Sequence, residues 1–253
     1  MELCWLTTTR CNQNCEYCDR FLDYTDLNSN QYSFILDKLI SYGVNRLTFG
    51  GGESLLVDAF SDIVKKAAAN GMHLKLVTNG ILLQNKLELI PYFDEITFSI
   101  DSADTNTNII LGRGANHYHN VNSAIDRIKN SSPNTRINVN SVVTKINYSQ
   151  TIELAQHIKQ WNVQQWRIFR FCPLRGAAVR NRDMFEISSF LFRDVCKCID
   201  KLGLSCSVQF RDYEDMENGY LLISPSGKLC VSRDLKDVVV GDMLLDDLTQ
   251  WFI

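Results

Sequence analysis

The sequence predicts an α/β fold: a partial (β/α)6 TIM-like barrel followed by a smaller α+β extension that forms a lid. Three observations predict it. Short apolar runs alternate six times with helix-periodic segments, at the roughly 25- to 35-residue spacing of parallel βα units. Polar, glycine and cysteine residues collect where those apolar runs end. After residue 173 the alternation stops and turn-rich segments take over. Residues 1–173 are therefore read as the barrel core and 174–253 as the C-terminal extension.

"ELCWLTTT" is the first strand and runs into a polar loop. "SNQYSFILDKLISYG" has helical spacing in Phe34, Ile35, Leu39 and Ile40, with Gly43 as its stop. "VNRLTFGGGES" is a strand ending in glycines, and "VDAFSDIVKKAAANG" a helix closing on Gly71. "MHLKLVTNG" is the third strand, and "LLQNKLELI" a short helix that Pro91 ends. "FDEITFSIDS" and "NVNSAIDRIKNS" form the fourth pair, "TRINVNSVV" and "SQTIELAQHIKQW" the fifth, and "QQWRIFRFCPL" the sixth strand. In the extension, "RGAAVRNRDM" reads as a polar loop, "EISSFLFRDVCKCIDKLG" as a helix and "LSCSVQF" as a strand. "GYLLISPSGKLCVS" is a hairpin turning at Ser224-Pro225-Ser226-Gly227, and "LLDDLTQWF" a last short helix.

With 253 residues, 45% of them hydrophobic, the chain can bury one sizeable core. A net charge of −3 gives no basic excess for nucleic acid. No secretory leader pattern opens the sequence and no apolar run is long enough to span a bilayer, so a cytoplasmic protein without membrane partners is expected. Nine cysteines, an odd number, then argue against a disulfide scaffold. Cys4, Cys172, Cys196, Cys198, Cys206 and Cys230 lie scattered, mostly among apolar residues, and read as small buried hydrophobes.

Cys11, Cys15 and Cys18 differ, because they sit among Asn, Gln, Glu and Asp in one polar loop. Packing does not call for thiols there; a metal centre does. Three thiolates suit an iron–sulfur cluster with one open iron. Structural zinc usually takes paired C-x2-C knuckles, and His73, His117, His119 and His157 offer no partnered set. His117 and His119, in "GANHYHNV", are expected as solvated or capping histidines.

In parallel α/β folds ligands sit at the carboxyl ends of the strands. Those ends carry the three cysteines, Gly50-Gly51-Gly52-Glu53, Thr78-Asn79-Gly80, Ser99-Ile100-Asp101-Ser102, then Asn138, Asn140 and Ser141, then Arg167, Arg170 and Cys172. The glycine run lets backbone approach a ligand closely. Asp101, Ser102 and Asp104 are expected to turn the chain and cap the segment that follows. Trp161 and Trp166 are expected to pack.

C-x3-C-x2-C at the end of the first strand resembles the radical S-adenosylmethionine (radical SAM) superfamily. The resemblance implies that Cys11, Cys15 and Cys18 hold a [4Fe–4S] cluster whose fourth iron chelates SAM, and that reduction yields a 5′-deoxyadenosyl radical. It implies cofactor contacts from Tyr17 to adenine, from Gly51, Gly52 and Glu53 to the SAM amino group, and from Ser99 to ribose or carboxylate, with Asn79 at the same rim. Within the superfamily, "FSIDS…LGRG", "INVNSVVTKIN", "WRIFRFCPL" and "DMENGYLLISPSGKL" resemble the viperin branch, which modifies nucleotides in antiviral defence. That likeness places the SAM carboxylate on Arg113 and substrate on Asn140, Arg167 and Arg170, and gives Tyr220 a catalytic part. The branch acts on CTP or another nucleotide to give a 3′-deoxy-3′,4′-didehydro product, a lyase-type reaction. It draws its electron from a partner such as a flavodoxin or ferredoxin.

The chain departs from that pattern where the triphosphate is held. Asn138, Gln165 and Arg167 stand where the branch has a lysine, an arginine and a lysine, and Asp19 follows the third cysteine in place of phenylalanine. Two other readings use the same cysteines. A peptide-modifying (RiPP-type) radical SAM enzyme would take further cluster ligands from the tail, whereas an iron–sulfur sensor would leave SAM uncleaved.

Overall fold

Alternation along the strands decides the architecture. Leu3 and Trp5, Leu47 and Phe49, Leu74 and Leu76, Ile96 and Phe98, Ile137 and Val139, and Trp166 and Ile168 are all buried. The residues between them are half-buried or polar, so each strand turns one face to the hydrophobic core and carries its polar residues on the other. The computed structural model describes residues 2–22, 24–216 and 221–252. The strand–helix order is β1 (Glu2–Leu6), α1 (Ser29–Ser41), β2 (Arg46–Gly50), α2 (Phe60–Ala69), β3 (His73–Thr78), β4 (Glu95–Ser99), α3 (Thr105–Ile110), α4 (His117–Ser131), β5 (Arg136–Val143), α5 (Tyr148–Trp161) and β6 (Gln165–Arg170). It continues with α6 (Gly176–Arg180), α7 (Arg182–Phe185), α8 (Ser189–Asp200), β7 (Ser207–Arg211), α9 (Tyr213–Met216), β8 (Leu221–Ile223), β9 (Lys228–Arg233) and β10 (Lys236–Asp242).

Among the described residues ten strands form one sheet in the order β10-β9-β8-β1-β2-β3-β4-β5-β6-β7. The six expected strands are its parallel centre. The C-terminal extension adds to both edges: β7 pairs parallel with β6, β8 pairs parallel with β1, and β9 and β10 follow antiparallel. The tail is thus continuous with the core sheet. Among the described residues no helix is long and apolar enough to cross a membrane.

Most elements lie where the pattern puts them, and caps explain their ends. Asn28 and Gln31 form a reciprocal capping box on α1, and Ser188 accepts from the Leu191 amide to start α8. Four segments differ from expectation. The stretch after β3 is two 3-10 turns, Leu83–Asn85 and Leu87–Tyr92, and Pro91 sits inside the second. An extra helix, α3, follows β4 because Asp104 accepts from the Thr107 amide at 2.7 Å. The expected loop after β6 is α6 and α7, and the expected final helix is only the 3-10 turn Thr249–Trp251.

Candidate active site

The cysteine loop is shaped by its neighbours before any ligand arrives. Thr9 donates from its amide and hydroxyl to Asp26 Oδ1 at 2.7 and 3.0 Å. Gly52 N donates to Thr8 O at 2.7 Å and Glu53 N to Arg10 O at 2.8 Å, stitching the loop to the end of β2. This approach requires glycine: a Cβ on Gly52 would lie 2.0 Å from Arg10 O. On the other flank a Cβ on Gly112, where φ is +75°, would lie 2.2 Å from Asn14 O. Nearby, Glu16 N donates to Leu111 O at 3.1 Å.

Inside that frame Cys11, Cys15 and Cys18 line a cavity of about 480 Å³, together with Gly51, Gly52, Asn79, Ser99 and Arg113. Tyr17 is in its wall too, and so is Arg170. Burial pushes the Cys15 thiol up to about 11 and raises that of Cys18. Among the described residues no three His, Cys, Asp or Glu side chains converge on a point that one ion could fill. Cys4 and Cys172 are in the same wall, but Cys11, Cys15 and Cys18 come from one loop. The donor set fits an iron–sulfur cluster.

A buried network holds the wall. Arg113 donates to Asp101 Oδ2 from Nε and Nη2, each at 2.6 Å, and from Nε to Tyr17 Oη at 2.7 Å. The Tyr17 hydroxyl also bonds to Asp101, which is wholly buried and accepts from the Val142 amide at 2.6 Å. Burial works against the Arg113 charge, yet the Asp101 carboxylate keeps its pKa well above the ordinary value. Gln13 Nε2 donates to Arg113 O at 2.7 Å and faces His117 Nδ1 at 3.0 Å. His117 Nε2 lies 2.9 Å from Ser99 O, which can only accept. The proton is therefore on Nε2, and Nδ1 accepts from Gln13. Burial, then the charge of Arg113, pushes the His117 pKa down to about 3, so the ring is neutral.

Some expectations need correcting. His117 is neither solvated nor a cap; it is a buried strut. Asp101 does not merely turn the chain but anchors Arg113 and Tyr17. Glu53 is absent from the cavity wall. Its buried carboxylate accepts from Thr78 Oγ1 at 2.9 Å, from Asn79 N at 3.0 Å and from Leu55 N at 3.3 Å, fastening the end of β2 to that of β3. Burial raises its pKa, with the Asn79 amide opposing. Asn79 thereby aims its own amide at Asn12 Oδ1, 2.7 Å away, and at Cys11 Sγ, 3.8 Å away.

Of the expected substrate residues, Arg170 reaches this cavity and Asn140 and Arg167 do not. Both lie in the row Ser99, Asn140, Arg167, Gln209, which carries them along the sheet towards β7. Asn140 Oδ1 is buried with no hydrogen-bond partner among the described residues. Tyr220 lies outside the described residues. Sequence reasoning missed Gln13 and the structural parts of Asp101 and His117. Their only signal is position, inside the cysteine loop, two residues after Ser99 and four after Arg113.

The radical SAM superfamily model matches residues 5–158, well over half of the chain. The chain belongs to the radical SAM superfamily. An S-adenosylmethionine-dependent nucleotide dehydratase of Flammeovirga pacifica is 30% identical to this radical SAM enzyme, over 86% of this chain and 78% of that protein. One of Selenomonas ruminantium is 27% identical over 95% of this chain and 89% of the other. Among solved structures, anSMEcpe with bound AdoMet matches at TM-score 0.75 and 15% identity, over 100% of this chain and 77% of that one. Streptococcus suis SuiB bound to S-adenosylmethionine matches at 0.71 and 16%, over 100% of this chain and 65% of SuiB. At those identities the likeness is one of fold. The superfamily's cofactors, a [4Fe–4S] cluster and SAM, are those of this enzyme.

Proposed function

We propose that this radical SAM enzyme is a nucleotide dehydratase of the viperin kind, removing water from the ribose of a nucleotide. The observation that carries the reading is one cavity whose wall holds Cys11, Cys15, Cys18, Gly51, Gly52, Ser99 and Arg113. Relatives named nucleotide dehydratases match most of the chain. Cys11, Cys15 and Cys18 hold the cluster. The Arg113 guanidinium orients the SAM carboxylate while Asp101 fixes its plane, and the backbone of Gly51 and Gly52 takes the amino group. Ser99 and Tyr17 flank the ribose and adenine. When bound, the cluster and SAM supply a 5′-deoxyadenosyl radical that removes a ribose hydrogen.

Arg170 contacts substrate, with Asn140 and Arg167 further along the Ser99 row. The sheet curves as a partial barrel that the extension closes as a lid, consistent with Met216, Leu222, Ser232, Leu235 and Asp237 in the cavity wall. Tyr220 is assigned the catalytic part in completing the reaction. A cytoplasmic flavodoxin or ferredoxin supplies the electron.

The test is anaerobic turnover of the reconstituted enzyme with SAM, reductant and each ribonucleotide in turn, followed by liquid chromatography–mass spectrometry. One nucleotide is expected to raise 5′-deoxyadenosine well above background and to lose the mass of water. Background SAM cleavage that no nucleotide stimulates would refute the dehydratase reading and leave the superfamily assignment intact.

A further inference from the structure

The charge of the cavity bears on which nucleotide fits, an inference that rests on the dehydratase reading. Its wall holds Arg20, Arg113, Arg170 and Arg175, and among the described residues no lysine. Three of these cations are already matched. Arg113 is held by Asp101 at 2.6 Å. Arg170 Nη1 pairs with Asp212 Oδ1 at 2.9 Å, its Nε donates to Ile187 O at 3.1 Å, and its face stacks on Tyr213 with the centroid 4.1 Å away. Arg175 is gripped twice, by Asp19 at 2.7 and 3.1 Å and by Asp237, and lies over the Phe21 ring at 4.5 Å. Asp19 and Asp237 are themselves in the wall.

Arg20 alone among the wall arginines makes no ion pair with the described residues; its Nη1 donates to Gln13 O at 3.1 Å. Outside the wall, Lys75 is shared by Glu2 at 2.9 Å and Glu95 at 3.6 Å, whereas Arg167 on β6 makes no ion pair with the described residues and Arg211 on β7 donates only to Gln209 Oε1 at 3.2 Å. A triphosphate entering this cavity would have to draw Arg175 off two carboxylates. Those carboxylates would then face the phosphates as like charges in a poorly solvated wall. A single phosphate monoester, near −2 at neutral pH, can be met by Arg20 without breaking any of those pairs.

We infer that the substrate is a nucleoside carrying at most one phosphate, and that Asp19, Asp212 and Asp237 select against longer phosphate chains by holding Arg170 and Arg175. The acidic partners, rather than a missing arginine, set the preference. Asp237, on β10, and Asp212, after β7, are the informative positions because both lie far from the cysteine loop in sequence.

The experiment compares nucleoside, mono-, di- and triphosphate of each base. Turnover is read as 5′-deoxyadenosine and dehydrated product, and binding as Kd by calorimetry on the cluster-loaded enzyme. The monophosphate of the preferred base is expected to bind and turn over roughly tenfold or more better than its triphosphate. Asp237→Asn and Asp212→Asn, each checked for native iron content and melting temperature, are expected to move that ratio towards the triphosphate by about fivefold or more. A wild-type preference for the triphosphate, or a ratio unmoved in both folded variants, overturns the charge inference while leaving the dehydratase reading in place. Failure of every nucleotide at every phosphate level removes the dehydratase reading itself.

Discussion

Asp101 and Arg113 illustrate how much one buried pair decides. Both side chains are almost wholly out of solvent, 0% and 8% exposed, so removing one partner strands a charge. Breaking such a pair costs about 3–5 kcal/mol, and Asp101→Ala is expected to lower stability in denaturant melts by that order. It should also weaken SAM binding, because Arg113 loses its orientation. Glu186→Gln, which breaks the exposed Arg182–Glu186 pair, should leave both unchanged. His117 makes a pH prediction. In the folded protein its pKa is about 3 against the ordinary imidazole value of 6.5, so between those values the unfolded chain binds more protons. Stability is therefore lost as pH drops through that window, by about 1.4 kcal/mol from this one group at pH 5.5. His117→Gln should flatten the fall between pH 8 and 5.5, as read by melting temperature; an equally steep fall would contradict a neutral buried ring. Arg113 was singled out only through the resemblance of "LGRG" to the family's pattern, and the structure places it in the cavity wall. Gln13, Asp101 and His117 were not legible, because a polar residue's burial is decided by which distant elements close over it.

At the scale of elements, the site is a loop clasped by glycines. The Gly112 position combines a φ of +75° with the near contact to Asn14 O. Gly112→Ala must therefore displace either the "LGRG" turn or the cysteine loop, with strain of about 1–3 kcal/mol. The expected outcome is a lower iron content after reconstitution and a lower melting temperature. Gly114→Ala, also at positive φ but with open space at its Cβ, should lose stability without losing iron. The central strands could be read because period-two burial is written in their own residues. The helices α6 and α7 could not, since they are only five and four residues long and are held by the cysteine loop: Ala178 N donates to Cys18 O at 3.1 Å, and Asn181 Nδ2 to Glu16 O at 2.8 Å. Nothing inside "RGAAVRNRDM" records those partners.

Across the whole molecule the remaining question is how many clusters the fold can carry. The C-terminal extension contributes Cys196, Cys198, Cys206 and Cys230, the raw material for a second centre. The fold disperses them. Cys196 packs against the main core from α8, Cys198 is exposed on the same helix, Cys206 precedes β7 at one edge of the sheet, and Cys230 is buried in β9 beyond the other edge. Because β7 and β9 flank opposite sides of the parallel centre, bringing these thiols together would require breaking the sheet. The enzyme is therefore expected to bind about four irons per chain, the content of a single cubane. Serine at Cys196, Cys198 and Cys206 together should leave iron content and the ultraviolet–visible charge-transfer band unchanged. Serine at any one of Cys11, Cys15 or Cys18 should remove most of both. About eight irons per chain, with half lost in the triple tail variant, would mean that the extension rearranges around a second cluster and that the ten-stranded sheet is not the iron-loaded form.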